Sequence, residues 1–264
     1  MNSSPIVLVT GASGGIGTAT TRLLLREGYH VIAHYAENLS AVTALAEYAA
    51  AQGRKCWPVR ADLANAADIE QVISEIDTLL GDSQGSELVG IVNNAAALLG
   101  PSLEQASVEK FDHYMALNTR APFFLTQQLS LRMESGGSIV NVSSAGVHFS
   151  NPGDIVYAIS KAAVEAFTRH AAEVLASKNI RINAVIPGFT DNGHPAFSEP
   201  EIREYMGSFS VLGDVASPRR RRRSCCLPAF KPFSTDHRHN ARHERRQRPG
   251  GTSCGYIRLL AILH

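Results

Sequence analysis

Tyr157 and Lys161 close the run Tyr157-Ala158-Ile159-Ser160-Lys161, which on a helix puts them one turn apart on one face. An ammonium beside a phenol favours the phenolate. The spacing therefore predicts a lowered tyrosine pKa and a proton-transfer group that works near neutrality. The pattern is short, and a solvated lysine beside a half-buried tyrosine would also produce it. Ser144 adds a hydroxyl able to hold a carbonyl oxygen next to the phenol, although Ser143-Ser144 also suits a turn or helix cap. Asn118 lies inside a helical pattern where asparagine is a weak helix former. That suits a site role, against the alternative of a surface or back-bonded side chain. Together these residues could move a proton at a carbonyl oxygen.

A second group lies near the N-terminus. The apolar run Ile6 to Val9 reads as a buried strand. Thr10-Gly11-Ala12-Ser13-Gly14-Gly15-Ile16-Gly17 follows at once, and Thr18 to Arg26 resumes at helical spacing with Leu23, Leu24 and Leu25. Strand, glycine turn and helix are the context in which backbone N–H groups and a helix dipole can face a pyrophosphate. The spacing is G-x-x-x-G-x-G, not the general G-x-G-x-x-G, and a tight connection is the alternative.

Alternating elements must position these groups. Strands are expected at Val31–Ala33, Cys56–Val59, Leu88–Val92, Ser138–Val142 and Ile180–Val185. Helices are expected over Ser40–Ala51, Ala66–Leu80, Phe111–Met133 and Val156–Ala176, with Gly28 and Gly53 as stops. This order implies right-handed crossovers and an α/β, doubly wound parallel sheet with helices on both faces. Each motif falls at the carboxyl end of a strand, where such sheets bind ligands.

The 264 residues suffice for one large core. Met1 to Pro5 lack a basic and apolar leader, no apolar run reaches membrane-span length, and Cys56 is the only cysteine before position 225. These features predict a cytoplasmic protein without membrane attachment. The ten histidines are scattered without metal-ligand spacing, so no metal is expected. The net charge of +1 conceals two different pieces. Residues 217–264 hold eleven Arg and one Lys against Asp236 and Glu244, a net of +10, which leaves −9 for residues 1–216.

Taken together, the motifs resemble those of the short-chain dehydrogenase/reductase family over about residues 5–215. Thr10-Gly11-x-x-x-Gly15-x-Gly17 is similar to its cofactor loop. Asn93-Asn94-Ala95-Ala96 is similar to its N-N-A-G element, with Ala96 in place of glycine. Asn118, Ser144, Tyr157 and Lys161 match its catalytic tetrad, and Pro187-Gly188 the element that lines the nicotinamide. The resemblance implies a Rossmann-like sheet and hydride transfer between a nicotinamide and a carbonyl or alcohol carbon. In reduction Tyr157 would donate the proton and Ser144 would hold the oxygen. Lys161 would lower the pKa of Tyr157 and bind ribose, and Asn118 would anchor a relay water. It also implies cofactor contacts at Gly11, Ser13, Gly15, Ile16, Gly17, Asp62, Leu63, Asn94, Ala95, Tyr157, Lys161, Pro187 and Gly188. The nearest general likeness is to 3-oxoacyl-carrier-protein reductases and related ketoreductases. A nucleotide-binding protein without turnover is the alternative.

An NAD enzyme places a carboxylate at the end of its second strand. Here that place reads His34-Tyr35-Ala36, with Glu37 one residue further on, while position 14 is Gly where many NADP-dependent members carry a basic residue. The balance favours NADP over NAD. The loop from Phe189 to Leu212 corresponds to the substrate lid of relatives. Thr190 comes early and Asn192 sits nearer the place of the family's nicotinamide-contacting threonine. His148, Phe149 and Ile155 are candidate pocket walls.

From Ser217 the periodicity stops, where relatives carry a helix and a last strand near I-T-G-x-x-L-x-V-D-G-G. A basic arm for nucleic acid is one reading. The genetic code offers a stronger one. Codons for Asp236 to Glu244, with CGN for arginine and read one base later, permit Ile-Thr-Gly-Thr-Thr-Leu-Ala-Met-Asn, and the next two arginines permit Gly-Gly. The expectation is a catalytic domain over 1–216 and a disordered, out-of-frame tail over 217–264. Loss of the native ending would uncover a sheet edge and weigh against the family's homodimers and homotetramers.

Overall fold

The apolar runs of the sequence form six parallel strands in a computed structural model that describes residues 5–83, 85–134, 136–191, 198–208 and 215–216. They are β1 (Ile6–Val9), β2 (His30–Tyr35), β3 (Cys56–Arg60), β4 (Leu88–Asn93), β5 (Gly137–Val142) and β6 (Ile180–Val185), in spatial order β3-β2-β1-β4-β5-β6. The order reverses between β1 and β4, the point at which open sheets of this kind bind their ligands, beyond the strand tips.

Both faces are covered. Side chains alternate across a strand, so Ile6 and Leu8 join one apolar layer with Ile91, Ile139 and Ile182. Val7 and Val9 join the other with Val31, Val140 and Val142. Helices α3 (Ala66–Asp82), α5 (Ala121–Leu129) and α6 (Ile155–Ala176) close the first layer through Ile69, Ile76, Leu125 and Leu175. Helices α1 (Gly15–Arg26) and α2 (Leu39–Ala51) close the second through Leu24 and Leu45. Full burial of each such leucine contributes about 1.5–3 kcal/mol. Gly28 and Gly53 take positive φ just beyond these two helices, as their places in the sequence predict.

The helix expected as one piece over Phe111–Met133 is broken. It consists of α4 (Val108–Met115), a π turn (Ala116–Arg120) and α5, then a short 3₁₀ turn. Pro122 stands four residues after Asn118 and has no N–H to give its carbonyl. The Ala121 N–H instead bonds the Ala116 carbonyl, five residues back. The remaining helix, α7, spans Pro200–Ser208.

A polar ladder crosses the apolar layers. Asn93 on β4 donates to Asn141 on β5 at 2.8 Å and to Thr126 on α5, and Asn141 donates to Thr168 on α6 at 2.9 Å. All four side chains are buried. β6 is the outermost strand on its side among the described residues. Past its tip, Ala216 forms a parallel bridge with Thr190. Gln84, Asn192, Pro195, Phe197, Leu212 and the whole tail lie outside the described residues.

Candidate active site

The glycine loop is shaped by close approach. Gly11 has φ +63°, and a Cβ there would stand 2.9 Å from the Ala95 Cα. A Cβ on Gly17 would stand 2.1 Å from the Gly11 carbonyl oxygen, so that position admits hydrogen only. Gly14, by contrast, is exposed, with ordinary clearance. The loop ends at the first turn of α1, whose N-cap, Gly14, offers no side chain to the orphan N–H groups. These are the features an anion cradle needs, and the residues fit a dinucleotide's pyrophosphate. Ser13, Gly15 and Ile16 are half-buried along this cradle.

The β4 tip is tied to the same loop. The Asn94 amide donates to the Thr10 and Gly11 carbonyls, while the N–H groups of Asn94 and Ala95 donate to the Thr10 hydroxyl. The Asn94 side chain is thus spent on holding the loop. Leu63 is buried in the core, which leaves only its backbone to face a nucleotide, and the exposed Asp62 accepts from the Ala64 N–H.

Tyr157 and Lys161 share a face of α6, and Ser144 lies just past the tip of β5. The Ser144 hydroxyl accepts from the Gly146 N–H at 3.2 Å and so caps the turn that follows β5. Lys161 is buried and donates to the Val142 carbonyl at 2.8 Å, its ammonium 5.9 Å from the phenol ring centre. Asn118, fully buried in the π turn, accepts from the Ala97 N–H at 2.8 Å and donates to the Ala97 carbonyl and the Ser160 hydroxyl. It braces the segment after β4 against α6, so the surface alternative fails. Pro187 accepts from the Ala145 N–H and Gly188 from the Thr190 hydroxyl, which joins the segment after β6 to the serine turn.

The expected lowering of the tyrosine pKa is not found. Burial pushes the Tyr157 phenol above the ordinary tyrosine value, and the Ser144 hydroxyl opposes this only in part. Burial also brings Lys161 down to about 8, and its ammonium is spent on the Val142 carbonyl. The spacing gave the right face but not the burial of both groups.

The chain matches the short chain dehydrogenase family over residues 5–200. The chain belongs to the short-chain dehydrogenase/reductase family. It is 34% identical over 202 residues to a 3-oxoacyl-[acyl-carrier-protein] reductase of Synechocystis sp., covering 75% of this chain and 80% of that one. It is 30% identical over 228 residues to a hydroxynaphthalene reductase-like protein of Metarhizium robertsii, covering 81% and 84%. The angucycline C-6 ketoreductase LanV, solved with bound NADP, superposes with a TM-score of 0.82 at 34% identity, over 87% of this chain and 91% of that one. The protein is therefore an NAD(P)-dependent, ketoreductase-like oxidoreductase that works by hydride transfer on small molecules.

For a short-chain dehydrogenase/reductase two features went unread in the sequence. His34 is buried at the end of β2. Its Nδ1 accepts from the Gly11 N–H at 3.1 Å and its Nε2 lies 3.1 Å from the Ala61 carbonyl, so Nε2 carries the proton. Burial holds its pKa below the usual histidine value. The second feature is the trio around Glu165, one turn beyond Lys161 on α6. Its carboxylate accepts from the Ser143 hydroxyl at 2.6 Å and meets His148 at 3.2 Å. His148 thus braces the serine turn, while Phe149 and Phe189 pair their rings at 6.1 Å beside it, and Ile155 is half-buried at the start of α6. No group of three metal-ligating side chains occurs among the described residues, and no described helix is long and apolar enough to cross a membrane.

Proposed function

We propose that this protein is a cytoplasmic NADPH-dependent reductase of a small ketone, with Tyr157 as general acid and Ser144 as the donor that holds the carbonyl oxygen. The observation that carries this reading is the placement of Tyr157 and Lys161 on one face of α6, the ammonium 5.9 Å from the phenol ring centre, with Ser144 just past the tip of β5 and the glycine cradle just past the tip of β1. A reduced nicotinamide, when bound, supplies the hydride. Gly11, Ser13, Gly15, Ile16 and Gly17 would hold its pyrophosphate, with Asp62 and the Leu63 backbone at the adenine. Ala95, Pro187 and Gly188 would flank the nicotinamide end, and Lys161 would exchange the Val142 carbonyl for ribose hydroxyls. The Tyr157 phenol, kept protonated by burial, is suited to donate to an oxygen that gains negative charge. Asn118 orients the turn behind it.

NADP is preferred because the tip of β2 presents no inward carboxylate. His34 is buried, Tyr35 is buried, Ala36 is uncharged and Glu37 is exposed. The bound NADP named for LanV supports the same preference. The test is oxidation of NADPH with a ketone panel, with NADH in parallel. Tyr157→Phe should lower turnover roughly 10²- to 10⁴-fold, and near-parental turnover in that variant would refute the assignment.

Residues 217–264 are read as out of frame from about position 218, on the codon argument and the +10 charge of that stretch. The nucleotide sequence decides this. A shifted frame without the Ile-Thr-Gly ending would refute it.

A further inference from the structure

Arg60 ends β3, the outermost strand on its side of the sheet among the described residues, and pairs in register with Tyr35 at the end of β2. Its side chain is exposed but tethered. Its Nε donates to the carbonyl of Ala36 at 3.2 Å, which holds the guanidinium across the tip of β2. Among the described residues no carboxylate forms an ion pair with it. Asp62, two residues beyond the end of β3, is engaged with the Ala64 N–H, and Glu37 is exposed to solvent. An arginine anchored through Nε keeps both Nη groups free, in the planar fork that matches a phosphate.

The place matters. In a doubly wound sheet the ribose of the adenosine half lies about 20 residues beyond the glycine turn, at the tip of β2. Here that tip is Tyr35-Ala36-Glu37, where Ala36 adds only a methyl group and no charge. We propose that Arg60, reaching across from the neighbouring strand, is the residue that reads the 2′-phosphate of the cofactor. This deepens the NADPH reading and rests on it. The glycine loop itself has Gly14 at the exposed position and supplies no cation, and Arg60 supplies the missing charge from β3. The sequence comparison of position 14 and the end of β2 alone misses it, because β3 lies 25 residues further along the chain.

The experiment is equilibrium binding to the full chain by calorimetry, with NADP⁺, NAD⁺, 2′,5′-ADP and 5′-AMP as ligands. Arg60→Ala should weaken NADP⁺ and 2′,5′-ADP roughly ten- to a hundredfold, with NAD⁺ and 5′-AMP unchanged within about twofold. Arg60→Lys, which keeps the charge and loses the fork, should recover part of the loss. Equal loss on all four ligands would overturn the assignment, as would unchanged NADP⁺ binding in Arg60→Ala. A parent chain that prefers NAD⁺ would overturn the NADP reading itself. A parent that prefers NADP⁺ alongside an unaffected Arg60→Ala would overturn only the role of Arg60.

Discussion

Replacing His34 with leucine removes one ring and strands two backbone groups. The Gly11 N–H loses its 3.1 Å acceptor and the Ala61 carbonyl its 3.1 Å donor, at a residue that is 2% exposed. A neutral hydrogen bond contributes about 0.5–1.5 kcal/mol net, and a buried group left unpaired costs about 1–3. Two groups left unpaired amount to roughly 2–6 kcal/mol, a large share of the roughly 5–15 kcal/mol that holds a typical domain together. Urea unfolding at pH 7.5 should show it as a lower midpoint. His34→Gln, which carries an acceptor and a donor on one amide, should recover part of the loss. The pH dependence has a definite sign. Burial lowers the folded-state pKa below 6.5, so between that value and 6.5 the unfolded chain binds the proton and the folded chain does not. The contribution is fully present above pH 6.5 and is lost as pH falls, by at most about 1.4 kcal/mol per unit. The parent's margin over His34→Gln should therefore shrink from pH 7.5 to 5.5. A leucine variant within about 0.5 kcal/mol of the parent, or a margin that does not change with pH, would refute this account of His34.

Three further outcomes are expected. Gly17→Ala forces a Cβ to 2.1 Å from the Gly11 oxygen. It should cost about 1–3 kcal/mol in unfolding experiments and weaken dinucleotide binding, whereas Gly14→Ala should leave stability at the parental value. Asn118→Ala breaks three hydrogen bonds in a fully buried turn. A loss of roughly 2–4 kcal/mol is expected in urea unfolding, and a change below about 0.5 would contradict the bracing role. In Lys161→Met, calorimetry should show weaker binding of NADP⁺, with 2′,5′-ADP unaffected because that fragment lacks the nicotinamide ribose. Equal weakening of both ligands would count against a ribose contact.

What could be read from residues and what could not divides along physical lines. Ile6 to Val9 and Ile139-Val140 are buried, and such apolar runs need no partner to be recognised. Tyr157 and Lys161 lie on one helix, so spacing alone put them together. His34, by contrast, owes its role to Gly11, 23 residues before it, and Ala61, 27 after it, and no local pattern marks such a bridge. Arg60 is likewise understood only once β2 and β3 are in register. The π turn had a visible cause in Pro122, which an unbroken helical pattern across Phe111–Met133 overrode. The direction of the Tyr157 shift was missed because it depends on how deeply the phenol is buried, a quantity that periodicity does not carry.

The amide ladder from Thr126 through Asn93 and Asn141 to Thr168 has a consequence for how the chain finds its pairing. Parallel strands of Val and Ile slide past one another at little apolar cost. Asn93 and Asn141 are opposite one another in β4 and β5, and a slip of either strand by one residue turns its amide to the other face, away from its partner. The cost of that orphaned polarity falls just below the tips that carry the Asn94 tie and the serine turn. Misalignment is therefore most heavily penalised beside the residues whose geometry the chemistry requires, and an Asn141→Val chain would pair its strands with less certainty there.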